Sequence, residues 1–65
     1  MYGIMYPGLN GGFPSPVGTT KREATRAIKG ELESSGWVSL YRQQRDGGWS
    51  LRGTAKDVDE IKNIF

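Results

Sequence analysis

The chain is predicted to be a small α+β domain: an αββα unit in which a two-stranded antiparallel hairpin carries two helices on one face, preceded by a Gly/Pro-rich arm. Three observations predict it. Thr20-Lys21-Arg22-Glu23 has the spacing of a capping box and opens an apolar stripe at helical period. Asp46-Gly47-Gly48 is a turn signal between two runs of strand-forming residues. Asp57-Val58-Asp59-Glu60 repeats the cap-plus-acid spacing at the start of a second stripe.

Residues 1–18 stand apart from the rest. They hold Gly3, Gly8, Gly11, Gly12 and Gly18, all three prolines (Pro7, Pro14 and Pro16) and no charge. Such a composition disfavours regular structure. The segment is nevertheless too apolar for an inert tail, so it is expected to be a flexible or partner-docking arm. Tyr2, Ile4, Tyr6 and Phe13 are its docking side chains, and Gly3 to Tyr6 is able to add a short strand to an open sheet edge. The folded module is expected to span 19–65.

Within that module Ala24, Ala27, Ile28 and Leu32 form the first helix stripe, and Gly36 supplies a left-handed stop. Gly30 lies inside this helix, where glycine costs about 1 kcal/mol relative to alanine. Trp37 to Arg45 reads as a strand and Trp49 to Thr54 as its return. Two-residue turns place Val38, Leu40, Trp49 and Leu51 on one face; a three-residue turn splits that apolar set and is rejected. The last helix runs from about Lys56 to Phe65, with Thr54 or Asp57 as its cap and Val58, Ile61, Ile64 and Phe65 as its stripe. No internal repeat is visible.

Two helices on one face leave the other face of the hairpin uncovered. By alternation it carries Trp37, Ser39, Tyr41, Gln43 and Arg45 on one strand and Ser50, Arg52 and Thr54 on the other. Aromatic rings stack on unpaired bases, and arginine reaches phosphates or the edge of guanine. The nucleic-acid-binding residues are therefore expected to be Trp37, Tyr41, Arg45 and Arg52, assisted on the first helix by Arg22, Arg26 and Lys29, with Lys21 adding a phosphate contact. Between Lys21 and Lys56 eight cations face four carboxylates, so the basic charge sits on the first helix and the hairpin. The alternative is a structural or regulatory protein acting by protein contacts or homo-oligomerisation. A lone hairpin is marginal, and its edges offer unpaired backbone groups.

Composition narrows the remaining classes. The chain has 65 residues, no Cys and no His, which excludes disulfides and a Cys/His zinc site. Below roughly 70–80 residues a single core rarely supplies more than about 3–5 kcal/mol, so oligomerisation or binding is the reinforcement left. Neither glycine pair has phosphate-loop spacing, and the acids at Asp57, Asp59 and Glu60 are explained by the helix dipole. No nucleophile with an oriented base is visible. The expectation is a non-enzyme with no cofactor and no metal. Glycine and proline interrupt the apolar start, so no signal peptide or membrane span is expected. Absent cysteine suits a reducing, cytoplasmic setting. The hairpin-then-helix order from Gly36-Trp37 to Phe65 resembles several small nucleic-acid readers, including the sheet-reading arm domains of phage integrases. The resemblance is one of element order and a few residue types, covers under half the chain, lacks the third strand of those domains and places an extra helix in front, so it is an analogy of fold alone.

Overall fold

The computed structural model describes residues 1–9 and 12–65. The part of the expected arm that falls on residues 10 and 11, Gly11 included, lies outside the described residues. The element order is β1 (Tyr2–Met5), β2 (Ser15–Gly18), α1 (Lys21–Ser35), β3 (Val38–Gln43), β4 (Trp49–Ala55) and α2 (Val58–Ile64). The fold is α+β, as expected, but the sheet has four antiparallel strands in the order β2-β1-β3-β4 and not two. Two of those strands come from residues read as an arm. Tyr2, Ile4 and Tyr6 alternate with Gly3 and Met5, and this strand period outweighs the local glycines and prolines. The strand that Gly3 to Tyr6 was expected to add to an open edge lies centrally in its own chain's sheet. Tyr2 pairs with Arg42 and Ile4 with Leu40.

One core lies between the sheet and both helices. Tyr2, Ile4, Val38, Leu40 and Ala55 come from the sheet; Ala24, Ile28 and Leu32 come from α1 and Ile61 from α2. The buried α1 positions recur every fourth residue and form one stripe, while Ala27, expected in it, is exposed. Helix α1 begins at Thr20, whose hydroxyl accepts from the Glu23 N–H at 3.2 Å. It ends at Gly36, with φ of 83°, whose N–H donates to the Leu32 carbonyl. Nothing lies within 4 Å of a Cβ built on Gly30, so no close contact offsets its helix cost.

The hairpin uses the turn that sequence reasoning rejects. Gln43 pairs with Trp49 and Tyr41 with Leu51, and the Gln44 N–H donates to the Gly48 carbonyl. Arg45, Asp46 and Gly47 therefore form a three-residue turn, with the left-handed position at Gly47 (φ 89°). The Asp46 carboxylate accepts from the Gly48 N–H at 2.8 Å and holds the turn. A bulge then shifts the register, so that Leu40 pairs with Gly53 and Val38 with Ala55. Arg52 is the extra residue. Trp49 and Leu51 are thereby removed from the face of Val38 and Leu40, contrary to expectation. Tyr2 and Ile4 fill that face in their place.

The ββα unit occurs twice, although the sequence shows no evident repeat. β1 and β3 meet antiparallel at the centre, which relates the two units by an approximate two-fold axis. The helix starts correspond closely. Each cap lies two residues beyond its strand end, at Thr20 and at Asp57. Each cap side chain accepts from the glutamate N–H three residues on. The Glu23 carboxylate accepts from the Thr19 hydroxyl and the Glu60 carboxylate from the Lys56 N–H. The next residues, Ala24 and Ile61, are both fully buried.

Candidate nucleic-acid interface

Helices cover one face of the sheet, and the bulge at Arg52 decides what the other face presents. Trp37, Ser39, Tyr41 and Gln43 lie on it as expected, and the Ser39 and Thr54 hydroxyls meet across the strands at 3.3 Å. Below the bulge, Trp49 and Leu51 replace Ser50 and Arg52. Ser50 pairs with Arg42, which points to the helix side and sets its guanidinium 5.5 Å from the Tyr2 ring centroid. Arg52 therefore lies on the opposite face from Trp37 and Tyr41, and the expected grouping of these three is corrected. The uncovered face is apolar and aromatic: Leu51 is 60% exposed and Trp37 41%.

The cations gather elsewhere, in two depressions. The larger, about 670 Å³, runs between α1 and α2 and is lined by Lys21, Arg22, Arg26, Lys29 and Lys62 with Thr25, Glu23, Ile61 and Phe65. The smaller, about 270 Å³, lies at the hairpin end and is lined by Arg42, Arg45 and Arg52 with Gln43, Gln44 and Ser50. Side chains connect them. Phe65 of the first stands 4.7 Å, centroid to centroid, from Tyr2, and Tyr2 underlies Arg42 of the second. Eight of the nine Lys and Arg residues line these depressions. Among the described residues only Glu23 of the seven carboxylates does so, and its side chain is engaged by Thr19 and Thr20.

Of the expected site residues, Arg22, Arg26 and Lys29 thus share one depression and Arg45 and Arg52 the other, while Trp37 and Tyr41 line neither. Arg42 and Lys62 join the basic surface without having been singled out. Arg42 takes its place there because β1 pairs with β3 and sets Tyr2 under its guanidinium. Of the expected docking residues, Tyr2 and Ile4 are buried in their own core, Tyr6 packs against it, and Phe13 is exposed. Among the described residues no group of three or more acidic side chains is arranged to hold a metal, and no helix is long and apolar enough to cross a membrane. No family model, curated protein or solved structure matches the chain.

Proposed function

We propose that this chain is a non-catalytic module that binds nucleic acid through its basic helix-side surface. One observation carries the reading: eight of nine cations line two adjoining depressions that contain a single carboxylate. Concentrated positive charge displaces the counterions condensed on a phosphate backbone, and that release drives binding. Arg45 and Arg52 at one end and Arg26 and Lys29 at the other act as phosphate contacts. Tyr2 is buried in the core and Phe65 packs against it, so phosphate contacts are the main contribution of this surface. The non-catalytic part of the reading is supported by the carboxylates' engagements: Glu23, Asp57 and Glu60 serve the helix starts, Asp46 the turn, and Glu31 accepts from Ser35.

The test is fluorescence anisotropy with a labelled mixed-sequence duplex, titrated over a range of salt. Each phosphate contact contributes about 0.9 to the slope of log affinity against log salt. Arg26→Ala, Lys29→Ala, Arg45→Ala and Arg52→Ala are each expected to weaken binding and lower the slope by about 1. Lys56→Ala removes a lysine that lines neither depression and is expected to leave affinity and slope unchanged. Absence of binding at low salt, or an equal loss from Lys56→Ala, overturns the reading.

A further inference from the structure

We propose that the uncovered sheet face is a self-association surface on which a second copy of this chain docks, two-fold and face to face. The proposal is independent of the nucleic-acid reading, since it concerns the opposite side of the sheet. Its first support is charge. Among the described residues the only charged strand residues are Arg42 and Arg52, and both line the depression at the hairpin end. The strand residues of the uncovered face are all uncharged. An isologous interface brings each patch against its own equivalent, so a patch bearing net charge repels itself and a neutral apolar one does not. The basic helix side fails that condition and the sheet face meets it.

The second support is shape and apolar content. The molecule measures 31 × 25 × 17 Å. Its thin axis matches one sheet layer and one helix layer, leaving the sheet as one of the two broad sides. A side of 31 × 25 Å sets an upper limit close to the roughly 800 Å² per partner that stable interfaces bury. Trp37, Tyr41, Trp49 and Leu51 occupy it, and aromatic residues with depleted charge mark interface centres. The Trp49 ring lies against Gly3, so the middle of the face stays flat. Paired sheets about 10 Å apart are a standard packing. Nucleic acid is the less suitable occupant, because single-strand platforms combine aromatic rings with cations and this face has the rings alone.

Sedimentation equilibrium of the full chain, from 1 to about 200 µM at low and high salt, tests the proposal; the range brackets the affinities expected of modest interfaces. The expected result is a salt-resistant dimer. Leu51→Lys and Trp37→Lys alter side chains already exposed in the monomer and place like charges across the two-fold interface. Each is expected to raise the dimer dissociation constant at least tenfold while far-ultraviolet circular dichroism stays native. Arg26→Ala, on the other side, is expected to leave the dimer intact. A wild-type chain monomeric throughout overturns the proposal, as does a dimer indifferent to both lysine variants. A monomer whose tryptophan emission is quenched by single-stranded oligonucleotide, with the quenching lost in Trp37→Lys, overturns it in favour of base stacking.

Discussion

Gly3 lies beneath the ring of Trp49: a Cβ on residue 3 would sit 2.7 Å from Cζ3 and 2.9 Å from Cη2, with the Pro14 Cβ at 3.1 Å. Carbon atoms do not approach so closely, so a side chain at this central-strand position displaces the ring. Trp49 is rigid and spans from β4 across β3 to β1, and it couples the outer hairpin strand to the first strand of the chain. Gly3→Ala is therefore expected to destabilise the fold by about 1–3 kcal/mol, the usual range for overpacking. Urea unfolding measures the loss. Tryptophan emission in a Trp37→Phe background is expected to shift to the red as the remaining ring becomes more hydrated.

A second glycine makes room on the covered face. A Cβ on Gly53 would meet the Ile64 side chain at 3.1 to 3.3 Å. Gly53→Ala is expected to cost at least about 1–3 kcal/mol, because the close contact adds to a backbone φ of 156° that side chains rarely adopt. The cost should shrink in an Ile64→Ala background, because the obstructing atoms are gone. A double-mutant cycle by chemical denaturation measures that coupling; additive losses would show that Gly53 acts through its backbone alone.

Gly30 has the opposite expectation. It sits within α1, and nothing lies within 4 Å of an added Cβ. Gly30→Ala is expected to stabilise the fold by up to about 1 kcal/mol through helix propensity, read as a rise in the thermal midpoint.

The two helix starts predict a matched pair of losses. Thr20→Ala and Asp57→Ala remove the acceptors of the Glu23 and Glu60 N–H groups. Each is expected to cost about 0.5–2 kcal/mol. Thr20→Ser and Asp57→Asn retain the acceptor and are expected to stay close to wild type in the same unfolding measurement.

Neither tryptophan lines a basic depression. Binding of duplex to the basic surface is therefore expected to leave tryptophan emission unchanged even at saturation in the anisotropy titration. Strong quenching would place the nucleic acid on the aromatic face.

The local events are legible in the order of the residues, because each depends on side chains only a few positions apart. Thr20 with Glu23, Gly36, Asp46 with Gly47 and Gly48, and Asp57 with Glu60 mark starts, stops and turns by their own side chains and backbone freedom. The helices, the last two strands and the basic charge of α1 and the hairpin followed from them. The place of Tyr2 and Ile4 depends on distant partners, since a four-residue strand is stable only when Leu40 and Arg42 stand beside it. That tertiary pairing also decides the hairpin's faces. Considered alone, the hairpin had to supply its whole apolar face from Val38, Leu40, Trp49 and Leu51, which made a two-residue turn look necessary. With β1 providing Tyr2 and Ile4, the three-residue turn and the Arg52 bulge become compatible with a filled core. A one-residue change of register moves every subsequent side chain to the other face, and so Arg52 stands with Arg42 while Trp49 and Leu51 face outward with Trp37 and Tyr41.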